Sequence, residues 1–216
     1  MFTYHKINSI FKRDKQTNKM ILGDFSTPEL EYLSNSIWTF DEKVDGTNIR
    51  VIFDGNKVSF GGRKDTSIIP QHLLDKLKSV FTLEKLKNLF PNLSEGSTAV
   101  LIGEGYGEKI QKVGKHYDVD FVDFILFDVN IGGIYLLRDA VEDIANTINI
   151  KFTPIYGEGT VQDAIDIVTK GIKSPLGQLT SEGFILRPKI PMFDRMRRRI
   201  ITKIKHKDFK HLYDIS

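Results

Sequence analysis

The sequence predicts an α+β domain in which antiparallel sheets carry the fold and helices flank them. Three observations lead there. Strand-like segments meet across tight-turn signals: Asp54-Gly55-Asn56 joins Asn48–Phe53 to Lys57–Phe60, and Gly132-Gly133 precedes Ile134–Leu137. Helical periodicity is confined to a few separate stretches, which argues against regular βαβ repeats. With 216 residues, 40% of them hydrophobic and 15 of them Phe, the chain can bury a sizeable core, so a single domain over 1–216 is expected.

In order, residues 1–35 read as irregular apart from a short helix near Thr27–Asn35. Pro28 suits its first turn, with Ser26 or Thr27 as cap. Ile37–Glu42 reads as a strand. From Pro70 to Leu89 the residues Leu73, Leu74, Leu77, Val80, Phe81 and Leu86 recur at helical spacing, with Pro91 beyond the stop, so one helix is expected. Thr98–Gly103 is a short apolar strand, and Val119–Val129 alternates as a strand should. Asp139–Thr147 and Val161–Thr169 read as helices; Phe184–Leu186 and Ile200–Ile204 read as strands in a basic tail. Gly171–Leu179, rich in Gly, Ser and Pro, is expected to be a mobile loop, and residues 151–180 carry no assignable chemistry.

The chain has no cysteine, which excludes disulfides, thiolate catalysis and cysteine-based zinc sites. No stretch approaches the roughly 18 apolar residues of a spanning helix, and the opening MFTYHKINSIFKRDK lacks the apolar block of a secretory signal. A cytoplasmic protein without membrane contact is expected. The net charge of +3 is unevenly spread. Arg187 to Lys210 holds ten Lys and Arg against Asp194 and Asp208, a local +8 that leaves −5 on the rest. Such asymmetry points to a surface that faces a polyanion.

The chemistry begins with Glu42-Lys43-Val44-Asp45-Gly46-Thr47-Asn48. A lysine held near other cations or partly desolvated yields a neutral, nucleophilic amine. Lys-x-Asp-Gly alone is a weak signal, but further segments keep it company. Gly61-Gly62-Arg63-Lys64 offers close backbone approach and a guanidinium for phosphate oxygens. Gly103-Glu104-Gly105-Tyr106-Gly107 frames a carboxylate suited to a ribose hydroxyl or a hydrated metal. In Phe124-Ile125-Leu126-Phe127-Asp128-Val129, alternation puts Phe127 and Asp128 on opposite faces, and a base can stack on such a Phe. Ser181-Glu182-Gly183-Phe184 opens an apolar strand with an acid that could hold a divalent metal through water. Lys203-Ile204-Lys205 sets two ammonium groups on one strand face, where they can neutralise charge developing at phosphorus.

Taken in this order, the segments resemble the covalent nucleotidyltransferase superfamily of polynucleotide ligases and mRNA capping enzymes. The resemblance runs from Lys43 to Lys205, about three-quarters of the chain. Asn48 stands where DNA ligases and capping enzymes usually carry Arg. Lys-x-x-Gly-Thr-Asn looks like the nick-sealing RNA ligases of bacteriophage and their editing-ligase relatives. Tyr4-His5-Lys6-Ile7-Asn8 followed by Ile10-Phe11-Lys12-Arg13 also resembles the phage enzymes. Asp45 departs from the His common in the best-known phage branch. The few residues after Lys205 leave no room for an OB domain, so a minimal catalytic domain is expected.

The resemblance implies a nucleotidyltransferase (ATP-grasp-like adenylation) domain, and an ATP-dependent RNA ligase that joins 3′-OH and 5′-phosphate ends through a lysyl-AMP on Lys43. It implies Arg63, Lys203 and Lys205 on phosphates, Glu104 on the ribose and Phe127 on adenine. Asn48 and Glu42 belong to the same nucleotide-binding set, with Glu182 on Mg²⁺ or Mn²⁺. Arg195, Arg197, Arg198, Arg199 and Lys207, with Lys210, would track the backbone of a nicked or bridged duplex. A monomer in the host cytoplasm, if phage-encoded, is the expected setting. A DNA ligase or an mRNA guanylyltransferase shares the chemistry and is the alternative; a nucleic-acid-binding module on a dead transferase fold is the alternative from another class.

Overall fold

Strand and helix signals resolve as follows in the structure, a computed structural model that describes residues 4–209. Lys210 of the basic tail lies outside the described residues. The strands are β1 (Asn8–Ser9), β2 (Phe11–Arg13), β3 (Met20–Phe25), β4 (Trp38–Glu42), β5 (Thr47–Phe53), β6 (Val58–Gly62) and β7 (Ala99–Gly107). They continue with β8 (Val122–Ile131), β9 (Ile134–Tyr135), β10 (Lys151–Phe152), β11 (Ile155–Gly159), β12 (Gly183–Pro188) and β13 (Thr202–Lys205). The helices are α1 (Pro28–Tyr32), α2 (Gln71–Val80), α3 (Leu83–Leu89), α4 (Arg138–Thr147), α5 (Val161–Thr169) and α6 (His206–Phe209). The class is α+β with mainly antiparallel sheets, as the hairpin signals imply. Two compact units divide the chain: Tyr4 with Asp45–Thr153, and His5–Val44 with 154–209.

The first unit is a sheet in the order β10-β8-β7-β5-β6, with β9 on β8. Its hairpin forms where Asp54 accepts the backbone N–H of Asn56 and Lys57 at 3.0 and 2.9 Å and Gly55 takes φ +89°. Alternation puts Ile49, Val51 and Phe53 in the core, with Leu73 and Leu77 of α2, Leu86 of α3 and Val141 and Ala145 of α4. The one helix expected over Pro70–Leu89 is two. Phe81 closes α2, and the Thr82 hydroxyl accepts from the Lys85 N–H to cap α3. Leu77, Phe81 and Leu86 stay buried on either side of the break, so the periodicity alone could not reveal it.

β7 runs through Glu104-Gly105-Tyr106-Gly107, which the sequence placed at a strand end. Its glycines are demanded by packing. A Cβ on Gly103 would lie 2.3 Å from the Ile125 carbonyl oxygen and 2.3 Å from the Phe124 ring. Gly103→Ala is therefore expected to cost about 1–3 kcal/mol through overpacking, read as a lowered midpoint in urea or thermal unfolding.

The second unit is a sheet in the order β1-β13-β12-β4-β11, parallel only between β1 and β13, with the separate pair β2-β3. Trp38 and Phe40 of β4, Phe184 and Leu186 of β12 and Ile204 of β13 are fully buried, and α5 covers them with Val161, Ala164 and Val168. The α5 start is a capping box between Thr160 and Asp163. β10 and β11 arise from a stretch without a strong strand signal. The expected loop at Gly171–Leu179 is tied at its base, where Ser174 N–H donates to the Leu179 carbonyl at 2.9 Å and Ser181 N–H to that of Ile172 at 2.8 Å. No helix among the described residues is long and apolar enough to cross a membrane.

Candidate active site

In the second unit, β4 delivers Lys43 from its C-terminal end, where the Lys43 N–H donates to the Gly183 carbonyl at 2.9 Å. Glu182 directly precedes β12, and Gly183 lies opposite Lys205 in the antiparallel register with β13. The Glu182 carboxylate thereby receives two ammonium groups. Lys43 Nζ reaches Oε2 at 2.5 Å, and Lys205 Nζ pairs with Oε1. All three side chains keep 20% or less of their surface exposed. Burial alone would raise the Glu182 carboxyl, but Lys43 and Lys205 outweigh it and hold it below the usual carboxylate range.

Lys203 lies two residues from Lys205 on the same strand, and Thr202 and Ile204, alternating with them, face inward. Burial first, then the like charges of Lys205, Lys43 and Lys6, push the Lys203 ammonium down to about 8, partly offset by Glu182. The sign for stability follows. The unfolded chain, with Lys203 near 10.5, holds more protons between pH 8 and 10.5, so this residue makes stability rise with pH across that window. Urea unfolding at pH 7.5 and 10 should show a flatter pH dependence in Lys203→Met than in the parent.

Glu42 is 2% exposed because it shares the inward face of β4 with Trp38 and Phe40. Burial raises its carboxyl, with the Ser174 and Ser181 hydroxyls pulling the other way, and its Oε2 has no hydrogen-bond partner. Tyr156 is raised too, by burial and then by Glu42. On the opposite face, buried Asp41 accepts from Arg187 Nε at 2.7 Å. Nothing in the sequence pointed to Ser174 or Tyr156, which fall in the stretch without a motif, and Ser181 was visible only as the residue that opens the Glu182 motif.

In the first unit, Asn48 on β5 and Glu104 on β7 are direct register partners. The Asn48 Oδ1 is buried without a hydrogen-bond partner. Gly46 is obligatory here: a Cβ would meet the Gly105 carbonyl oxygen at 2.3 Å and Glu104 Cγ at 2.8 Å. The preceding Asp45 N–H donates to Tyr117 Oη at 2.8 Å. Phe127 sits at a register shift, since Ile102 pairs with Asp128 and Gly103 with Leu126. It stays partly exposed while Asp128 is buried and accepts from Tyr4 Oη at 2.7 Å, and the Tyr4 ring tilts against Phe127 with centroids 5.6 Å apart. Tyr4 was visible in the sequence only as part of the opening motif. Arg63 is exposed just beyond β6.

The structure thus gathers Lys43, Glu182, Lys203 and Lys205 in one unit, and pairs Asn48 with Glu104 in the other. Of the basic tail, Arg195, Arg197, Arg198 and Lys207 are exposed and Arg199 is half-buried. A tight turn orders the arginines. The Asp194 carboxylate accepts the N–H groups of Met196 and Arg198, each at 2.8 Å, and Arg198 Nε at 2.7 Å, and Arg197 adopts φ +59°. Among the described residues no cluster of three or more His, Cys, Asp or Glu could hold a metal.

A family model described as RNA ligase matches residues 36–205. The chain belongs to the RNA ligase family. Among solved structures it resembles a variant of the Naegleria gruberi RNA ligase with ATP and Mn, at 17% identity and a TM-score of 0.66, covering 98% of this chain and 58% of that one. The same enzyme with PPi gives 18% identity and a TM-score of 0.64, with 97% and 64% covered. An archaeal ATP-dependent RNA ligase gives 14% identity and a TM-score of 0.63, with 95% and 48% covered. At these identities the likeness establishes the fold, and the chain spans less than two-thirds of each of those chains.

Proposed function

We propose that this chain carries out ATP-dependent RNA ligation through a lysyl-AMP on Lys43. The observation that carries the reading is the half-buried Lys43–Glu182–Lys205 pairing with Lys203 alongside, inside a chain of the RNA ligase family. In the first step Lys43 Nζ gives up its ammonium proton to water and attacks the α-phosphorus of ATP. A P–N bond forms, the α–β anhydride breaks, and pyrophosphate leaves. In the second, an oxygen of the 5′-phosphate attacks the lysyl-bound phosphorus, and the amine departs. In the third, a 3′-hydroxyl attacks the activated 5′-phosphorus, closes the phosphodiester and expels AMP. Each is a phosphoryl-type transfer that depends on positioning and charge neutralisation.

Glu182 fixes the Lys43 amine, and Lys203 and Lys205 supply positive charge to phosphate oxygens. Arg63 joins them on phosphate, Glu104 takes the ribose, and Phe127 stacks on adenine. Asn48 and Glu42 complete the nucleotide-binding set. Glu182 would hold Mg²⁺ or Mn²⁺, a cation that takes most of its ligands from phosphate oxygens and water, once Lys43 or Lys205 releases a carboxylate oxygen, and the cation would neutralise phosphate charge.

RNA ends in a nicked or bridged duplex are the polynucleotide substrate, bound by a monomer. Arg195, Arg197, Arg198, Arg199 and Lys207 face its backbone. Replacing Arg195 and Arg197 by alanine should lower the slope of log affinity against log salt by about 2, measured by RNA-binding titrations at several salt concentrations. The reading as a whole is tested by incubating the protein with Mg²⁺ and α-labelled ATP, GTP or NAD. Label from ATP that pyrophosphate removes is the expected result; label from GTP alone would move the function to capping chemistry.

A further inference from the structure

Adjoining the lysine–glutamate cluster, the second unit holds a cavity of about 450 Å³ whose lining includes Lys6, Asn8, Arg13, Lys203, Lys207 and Asp208. Lys205 lines it too. The cavity therefore opens onto the same β13 face that meets Glu182. Its charge is lopsided: five cations face one carboxylate. Two of these cations already have partners, since Arg13 is paired with Asp208 at 2.6 Å and Lys205 with Glu182. Lys6, Lys203 and Lys207 have no ion-pair partner among the described residues. Lys6 and Lys207 are exposed at the rim, whereas Lys203 is half-buried.

We propose that this cavity is a second phosphate subsite, in which Lys6 from the N-terminal segment and Lys207 join Lys203 to hold a terminal phosphate group beside the reacting lysine. The assignment rests on the ligase reading given above and deepens it. Lys6, Lys203 and Lys207 line one cavity whose Asp208 carboxylate is already paired with Arg13, and a doubly charged phosphate offsets that excess of positive charge. Asn8 adds an uncharged hydrogen-bonding side chain to the lining. Lys6 adds to the lowering of the Lys203 ammonium, behind burial and the like charges of Lys205 and Lys43. Two sources offer the same chemistry: the β,γ-phosphates of ATP, released as pyrophosphate, and the 5′-phosphate of the RNA end.

Lys6→Ala, Lys207→Ala and the double variant separate them, because both side chains are exposed and can be removed without disturbing the core. Inorganic pyrophosphate binding to the full chain is measured first, by calorimetry, together with its reversal of protein labelling. A loss of at least about tenfold in the double variant places ATP's phosphate tail in the cavity. Unchanged pyrophosphate binding with lost preference for 5′-phosphorylated over 5′-hydroxyl nicked duplex places the RNA phosphate there. If both measurements match the parent, the subsite does not exist. Absence of ATP labelling in the parent would instead overturn the ligase reading, while pyrophosphate binding would still report on the cavity.

Discussion

Lys43→Ala should leave no covalent label from α-labelled ATP under conditions where the parent is labelled to completion. No other amine in the cluster can take over the role. Lys205 is held on the far oxygen of Glu182, and Lys203 projects from a strand whose pairing with β12 fixes its direction. Lys43→Arg should be equally inactive, since a guanidinium stays protonated and offers no lone pair. Stability should change little, because Glu182 keeps Lys205 when Lys43 is gone. Separating these two outcomes matters: a folded but unlabelled Lys43→Ala assigns the loss to chemistry. Sealing of a synthetic adenylylated strand gives a further check. That reaction bypasses the first two steps, so Lys43→Ala should retain it while losing sealing from ATP. Persistence of the label in Lys43→Ala would sink the assignment.

Glu182→Ala should damage both activity and fold. In the parent, one carboxylate neutralises two ammonium groups that are largely buried. Its removal leaves Lys43, Lys203 and Lys205 together without a counter-charge. An unpaired buried charge costs several kcal/mol, but lysine heads can bend toward water, so a loss of about 2–3 kcal/mol is expected. The measurement is urea unfolding at low and high salt. Salt should narrow the gap between variant and parent, because the cost is like-charge repulsion. Labelling should fall with it, as Lys43 loses the contact that fixes its amine. Glu182→Gln separates the contributions: it keeps the shape and one acceptor but removes the charge. A Glu182→Ala chain as stable as the parent at low salt would show that the three lysines do not repel in solution.

Much of this was legible in the sequence. The hairpin at Asp54-Gly55-Asn56 announced itself because its turn chemistry is local. Lys203 and Lys205 share a face because a strand has period two. Other features resisted reading for physical reasons. The break at Phe81-Thr82 leaves the apolar periodicity intact on both sides, so only the threonine cap marks it. The opposite faces of Phe127 and Asp128 follow from alternation, but the register shift between β7 and β8 at that point is encoded by no one strand. The double pairing of Glu182 joins residues 43, 182 and 205, and the burial of Glu42 brings in Ser174 and Ser181. Such contacts between distant segments exist only once the sheet has formed. Lys6 shows the same limit: alone it is a surface lysine, and its neighbours at 203 and 207 give it meaning.

The parallel pairing of β1 with β13 has a consequence for biosynthesis. Asn8 pairs with Thr202 and Ser9 with Lys203, so the strand at Asn8–Ser9 must wait for one made nearly two hundred residues later. At roughly 5–20 residues per second that wait lasts on the order of ten to forty seconds on the ribosome. Asp45–Thr153 is continuous and can fold while the remainder is still being translated. The Lys43 cluster cannot, because Glu182 and Lys205 do not yet exist. A nascent chain therefore displays its nucleophile long before it owns the groups that hold it, and the reactive centre closes only once Lys205 has been made.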